Sequence, residues 1–181
     1  FVGFNPVELE KNENPVYDEK LTEKILDLLQ ESKRPVIFAG SGIRLGHAYD
    51  EFLALVDKLG LPVVTAWNAH DELWDEHPCF CGRPGTVGTR GGNFIVENSD
   101  MLLVLGCRLN IRQISYNYKD FAKNAYKIVV DIDEAELRKP TLQIDLPVHA
   151  DVRDVIKALL KGYFKKTANQ ERWLKWSRAV N

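Results

Sequence analysis

Short apolar runs alternate with amphipathic stretches along the whole chain, and their order predicts layers of helix on a sheet. Over 18–32, Leu21, Ile25, Leu28 and Leu29 recur at i, i+4, i+7 and i+8, which puts them on one helical face. Asp18 stands where a cap belongs, and Pro35 lies just past the end. Pro35–Ala39 is apolar throughout, the pattern of a strand covered on both faces. It opens into Gly40-Ser41-Gly42-Ile43-Arg44-Leu45-Gly46. A helix follows with Ala48, Phe52, Leu55, Val56 and Leu59 on one side and Gly60 as its stop. The apolar run at 62–67 completes a strand–helix–strand unit.

The second half repeats the alternation. Residues 68–78 are polar and irregular and read as a solvated loop. A short helix is expected over 93–98. Met101–Leu105 is again continuously apolar, 114–125 reads as a covering loop or helix, and 127–132 is a further buried-type strand. A turn at 134–137, a strand at 146–150 and a helix capped by Asp151 follow. That helix carries Val152, Val155, Ile156, Leu159, Leu160 and Tyr163 on one stripe. The tail, 165–181, sets Trp173, Leu174 and Trp176 among charges and is expected to pack on another domain or chain. The order predicts an α/β protein with a doubly wound, about six-stranded, mostly parallel sheet.

Composition narrows the class without changing this picture. A chain of 181 residues supports one domain with a sizeable core. With 24 basic and 26 acidic residues there is no basic excess to hold nucleic acid. No run approaches the length of a membrane span and no signal peptide opens the chain, so a cytoplasmic location is expected. The chain begins at Phe1 without an initiator, from which an excised piece of something longer is expected. Residues 1–17 have two prolines and no periodicity and read as a linker. Cys79, Cys81 and Cys107 are an odd number and read as free thiols. Cys79 and Cys81 follow His77 but lack metal-site spacing and a fourth ligand. As alternate residues of a strand they are expected to share one side.

The candidate chemistry lies where strands run out into glycine and charge. The stretch 82–110 packs six glycines and three arginines around Met101–Leu105, and Gly106, Arg108 and Arg112 follow the strand end. In open α/β sheets ligands sit outside the carboxyl ends of the strands, so this pattern points to an anion such as a phosphate. A tight turn with two solvated arginines is the plain alternative. The Gly40–Gly46 turn invites the same reading, with glycines that serve packing only as its alternative. Its spacing is G-x-G-x-x-x-G, and the strand after it ends Thr65-Ala66-Trp67 with no acidic residue for a ribose, which disfavours an NAD dehydrogenase. An acidic residue does end a later strand, at Asp131, where it could hold a ribose or an adenine amine; the plain alternative is that the carboxylates of Asp131-Ile132-Asp133-Glu134 cap the turn at 134–137.

Three blocks carry a family resemblance. Arg34-Pro-Val-Ile-Phe-Ala-Gly-Ser-Gly, the Gly85-Thr-Val-Gly turn followed by Asn98-Ser-Asp-Met-Leu-Leu-Val-Leu-Gly-Cys-Arg-Leu, and Val130-Asp-Ile-Asp-Glu resemble the central domain of thiamine diphosphate-dependent enzymes of the acetolactate synthase type, over roughly 20–162. The resemblance implies a Rossmann-like, DHS-type NAD/FAD-binding fold. It also implies a noncatalytic middle domain, 18–162, between a pyrimidine-binding and a diphosphate-binding domain of the same chain. Residues 1–17 and 163–181 would be linkers to them. The parent would be an oligomeric carboligase or decarboxylase, a transferase or lyase acting on a 2-oxo acid. Thiamine diphosphate and Mg2+ would bind in its other domains, and the fragment alone is expected to be inactive.

The same resemblance implies FAD or ADP in this domain, or a vestige of such a site. The contacts carried over are Gly40, Ser41 and Gly42, then Gly85, Thr86, Val87 and Gly88. Gly106, Cys107, Arg108 and Arg112 follow, then Asp131 and Ile132 near the adenosine, and Ala150 and Asp151. No catalytic or metal-ligating residue is assigned. Two departures weigh against a flavin. Asn110 stands where these synthases usually have an aspartate, and Gly88-Thr89-Arg90-Gly91 is less apolar than their turn. A stand-alone nucleotide-binding regulatory module is the competing reading, under which the tail would fold back onto the domain.

Overall fold

A computed structural model describes residues 2, 3, 5 and 14–181 of the chain. Of the linker expected over 1–17, residues 1, 4 and 6–13 therefore lie outside the described residues. In chain order the first elements are α1 (Lys20–Glu31), β1 (Pro35–Ala39), α2 (Gly42–Leu45), α3 (Tyr49–Leu59) and β2 (Val63–Thr65). Next come α4 (Arg90–Asn98), β3 (Met101–Leu105), α5 (Ile111–Ile114) and β4 (Tyr126–Asp131). The last are α6 (Glu134–Arg138), β5 (Leu146–His149), α7 (Val152–Lys161) and α8 (Ala168–Val180).

The strands form one sheet in the order β2-β1-β3-β4-β5, with every neighbouring pair parallel. Register and period 2 together explain why these runs are apolar without alternation. Val63, Ile37, Leu103, Ile128 and Leu146 lie side by side across the sheet and all enter the core on one face. The adjacent row, Val64, Phe38, Val104 and Val129, enters the core on the other. α1, α3 and α7 cover the first face through Ile25, Leu29, Phe52, Leu55, Ile156 and Leu159. α4, α8 and the 114–125 segment cover the second through Ile95, Val96, Ile114, Phe121 and Trp173. A helix layer on each face is the doubly wound arrangement.

Several expectations need correction. The doubly wound α/β fold is as expected, but among the described residues the sheet has five strands, all parallel, where about six were expected. What would be a sixth ladder beside β2 is a single bridge between Val63 and Phe80. Because the flanking chain is not a strand, Cys79 and Cys81 do not share a side: Cys79 packs with the first core and Cys81 with the second. Burial pushes their thiols up to about 11 and about 12. α4 starts before the 93–98 expected, since the Thr89 hydroxyl caps it by accepting from the Gly92 N–H at 3.1 Å. Asp151 caps α7 as expected, accepting from the Arg153 N–H at 2.9 Å, but Tyr163 lies beyond the helix and is exposed.

The tail folds back onto this chain rather than pointing away. Thr167 and Gln170 form a reciprocal cap at the start of α8. The buried Gln170 amide also donates to the carbonyls of Leu29 and Ser32 at 2.8 and 2.9 Å. Trp173 is 6% exposed and donates from its indole to Pro35 O at 3.0 Å, so it occupies the second core. Arg178 donates to the carbonyls of Asp75, His77 and Phe80. Only Trp176, stacked on Trp173 at 5.0 Å and 42% exposed, keeps a large apolar face in solvent. The tail therefore does not show the packing on another domain or chain expected of it; it packs as the stand-alone reading expects.

Candidate functional site

β1 and β3 leave the sheet side by side, and their turns touch. The Gly40 N–H donates to Leu105 O and the Gly42 N–H to Gly106 O, both at 2.9 Å. Gly106 has φ +59°, and a Cβ there would lie 2.8 Å from Gly42 Cα. Only glycine allows both that backbone conformation and that approach. Since β2 lies to one side of β1 and the later strands to the other, the chain reverses its winding between β1 and β3, which is where a crevice opens in this topology. The crevice is a cleft of about 440 Å3.

The strand order arranges its walls as a series. On the β2 side stand Ala66, Asn68, Asn110 and Gln113. In the middle stand Ser41, Gly42, Gly106, Cys107 and Arg108. On the β4 and β5 side stand Val130, Asp131, Ile132, Asp151 and Val152. Glu136, Leu45, Gly46 and Asn14 complete the lining.

Of the residues carried over from the family, the cleft gathers Ser41, Gly42, Gly106, Cys107, Arg108, Asp131, Ile132 and Asp151. It does not gather the others. Gly40 lies behind the wall against Gly106 and Cys107, and Ala150 is buried in the first core. Gly85, Val87, Gly88 and Arg112 line a separate hollow of about 150 Å3, and Thr86 lines neither. Arg112 instead lies over the Trp67 ring at 6.0 Å. Leu45 and Gly46 of the Gly40–Gly46 turn also line the cleft, and Gln113, Asn68, Glu136, Val152 and Asn14 line it without having been singled out as site residues. For Asn68, just past the end of β2, the strand-end rule was a usable signal; for Glu136 and Asn14 none existed.

The turn offers an anion less than its glycines imply. The N–H groups of Gly42 and Ile43 bond Gly106 O and Gly40 O, and α2 is a single turn with little dipole. The reading of glycines placed for packing thus explains Gly40, Gly42 and Gly106. Charge for a phosphate falls to Arg108, whose side chain is mostly exposed and pairs with Glu136 at 3.2 Å. Lys139 steadies that loop by donating to the Arg108 and Leu109 carbonyls and to Glu136, with Leu109 held at φ +49°. Glu136 is pushed up by burial, yet Lys139 and Arg108 hold it below the usual carboxylate value.

The carboxylates at the other end suit hydroxyl and amine donors. Asp131 accepts from the Asp133 N–H at 2.9 Å through Oδ1. Burial raises its pKa, with the charges of Glu136 and Asp133 adding to the effect. Asp133 caps α6, accepting from the Ala135 N–H, so among those carboxylates the plain alternative holds for Asp133. Asp151 accepts from the Arg153 N–H and, through Oδ2, from Asn14 at 3.2 Å. Cys107 is no nucleophile, since burial pushes its thiol up to about 11. Asn110 spends its side chain on the cap of α5, accepting from the Arg112 N–H at 2.9 Å, a task an aspartate performs equally.

The 68–78 loop departs from the solvated face expected of it, because Glu72 and His77 are buried. Glu72 accepts from the Arg44 N–H at 3.2 Å, its other oxygen has no partner, and burial pushes it up to about 7. His77 accepts from the Cys79 N–H and pairs with Asp57 at 3.3 Å. Among the described residues, no three His, Cys, Asp or Glu side chains gather as metal ligands, and no helix is long and apolar enough to cross a membrane.

Known proteins supply the context for this cleft. The chain is similar to a probable acetolactate synthase large subunit of Methanococcus aeolicus, 32% identical over 99% of this chain and 30% of that protein. It is 33% identical to the corresponding protein of Methanocaldococcus jannaschii over 84% of this chain and 26% of that one. With the large subunit of acetolactate synthase isozyme 1 of Escherichia coli it is 34% identical over 86% of this chain and 27% of that protein. It thus spans between 26% and 30% of the length of these relatives. The family model described as the central domain of thiamine pyrophosphate enzymes matches residues 22–159, which is all five strands and both helical layers as far as α7. The chain belongs to the thiamine pyrophosphate enzyme central-domain family.

Proposed function

We propose that this chain is the noncatalytic middle domain of an acetolactate synthase-like, thiamine diphosphate-dependent carboligase or decarboxylase acting on a 2-oxo acid, and that its cleft binds an FAD- or ADP-type nucleotide. The observation that carries the nucleotide reading is the cleft at the β1/β3 reversal, with a cation and carboxylates in series along it. Arg108 takes the diphosphate, and Asp131 and Asp151 accept from ribose hydroxyls or a base amine, with Ile132 and Val152 as apolar walls. Glu136 competes for Arg108, so the diphosphate must displace an existing ion pair. Thiamine diphosphate, Mg2+ and the catalytic groups belong to other domains of a cytoplasmic, oligomeric parent. No residue of this chain is assigned to them.

The test is titration of FAD, ADP and NAD into the chain by calorimetry. Binding of ADP or FAD that Arg108→Ala weakens about tenfold supports the reading, a loss of the size expected for one charge-assisted contact. Tight NAD binding overturns it, and absence of any binding leaves a purely structural domain. The stand-alone module is the second reading, and α8 packed back over Pro35 is the observation in its favour. Under the first reading, adding the missing domains of the parent restores turnover of a 2-oxo acid. Under the second it does not.

A further inference from the structure

Most of the residues the family resemblance assigns to one ligand line two separate hollows here, and one buried residue borders both. Among the described residues, Gln113 alone lines both the cleft and the smaller hollow. Its side chain is 5% exposed. The orientation that satisfies its neighbours has the amide oxygen accepting from the Trp67 N–H at 3.2 Å and the amide nitrogen donating to Pro84 O at 3.1 Å. The amide therefore ties the end of β2 to the glycine turn at 85–88. A buried amide bonded at both ends is fixed in place, since turning it aside would leave two backbone groups unpaired.

Two further contacts press the turn shut against α5. The Thr86 N–H and hydroxyl both donate to Arg112 O, at 2.8 and 3.2 Å. A Cβ on Gly85, which has φ +133°, would lie 2.9 Å from that same carbonyl. The Arg112 guanidinium over Trp67 belongs to the smaller hollow, so it stands behind the wall rather than in the cleft.

Resting on the reading that the cleft takes a nucleotide, we propose that Gln113 is its end wall and restricts it to a mononucleotide, such as a nucleoside diphosphate, at the expense of a dinucleotide. The strand order sets the direction. Base and ribose lie toward Asp131 and Asp151, the diphosphate lies at Arg108, and anything attached beyond the diphosphate runs toward Asn110 and meets Gln113. ADP ends before the wall. The flavin half of FAD would have to pass through it.

Calorimetric titration of ADP and FAD into the unmodified chain and into Gln113→Ala tests this, with circular dichroism to check that the variant folds. The unmodified chain should bind ADP at least about tenfold more tightly than FAD, and Gln113→Ala should remove most of that difference while changing ADP affinity by less than about twofold. If Gln113→Ala does not fold, Gln113→Asn, which keeps the amide and shortens the arm, takes its place, and the comparison in the unmodified chain stands by itself. FAD bound as tightly as ADP by the unmodified chain overturns the wall and leaves the nucleotide reading intact. A preference for ADP that a folded variant retains also overturns it, because the barrier then lies elsewhere. Failure of both nucleotides to bind overturns the wall and the nucleotide reading together.

Discussion

Replacing Glu72 by glutamine should stabilise the chain above pH 7 and leave its stability almost unchanged near pH 5. The carboxyl is fully buried on the short 3-10 turn His70–Glu72, with one oxygen accepting from the Arg44 N–H and the other without a partner. Burial raises its pKa from 4.5 to about 7, against which the Arg44 N–H and the Arg44 guanidinium, 4.0 Å away, act only in part. Between those values the folded chain holds a proton that the unfolded chain has lost, so stability falls as pH rises through the window and the penalty is complete above about 7. At 1.36 kcal/mol per pKa unit the penalty is at most about 3 kcal/mol. Glutamine resembles the protonated acid and keeps the oxygen that faces Arg44. The attraction to the Arg44 guanidinium, itself paired with Asp71, is already included in the value of about 7. The expected gain is therefore about 2–3 kcal/mol. Urea unfolding of both proteins at about pH 5 and about pH 8 measures it, and taking the difference between them cancels the other buried carboxyls, Asp131 and Glu97. A difference that is the same at both pH values, or an unmodified chain that is the more stable at about pH 8, would refute the reasoning.

Other predictions follow from single contacts. Gly106→Ala should cost about 2–4 kcal/mol, combining the left-handed φ with a Cβ against the Gly42 backbone. Gly42→Ala, which meets the same backbone without a left-handed φ, should cost about 1–2 kcal/mol less. Equal losses in chemical denaturation would show that the φ of Gly106 carries no penalty. Trp173→Ala should cost about 3–5 kcal/mol by emptying part of the second core and leaving Pro35 O unbonded, whereas Trp176→Ala should cost under about 1 kcal/mol. Similar shifts in melting temperature for the two would place α8 on the domain less firmly than its contacts imply. Glu136→Gln releases Arg108 from its ion pair and should tighten ADP binding by about threefold to fivefold in calorimetry. Weaker binding would remove Arg108 as the partner of the diphosphate.

What was legible in the sequence follows from the range over which each cause acts. Pro35–Ala39 and Met101–Leu105 were readable because a strand covered on both faces must be apolar at every position, and both faces are covered here. Asp151 was readable because a cap acts on an N–H two residues away. The fate of the tail was not, because the partners of Trp173 and Gln170 are carbonyls of Pro35, Leu29 and Ser32, more than a hundred residues earlier. The same limit explains Glu72. A loop in which six of eleven residues are Asp, Glu or His reads as solvated, and nothing local marks which carboxylate the 3-10 turn will bury.

The site divides along the same line. That glycine and charge at strand ends form a crevice is a rule of the topology, and Gly42, Gly106, Arg108 and Asp131 met in the cleft accordingly. Which strand-end residues share one space depends on what stands between them. Arg108 and Arg112 are four apart, and the resemblance implies both as contacts of one ligand. Four residues are one turn of a continuous helix, but α5 begins only at Ile111, after Leu109 at positive φ, so the two guanidinium groups leave the loop on different courses. Gln113 borders both hollows, bonded to Trp67 just past β2 on one side and to Pro84 just before the glycine turn on the other. If the cleft takes a nucleotide, a ligand long enough to touch both arginines would have to displace Gln113 from its bonds to Trp67 and Pro84, so the ligand length expected there follows from the position of one amide rather than from the number of cations nearby.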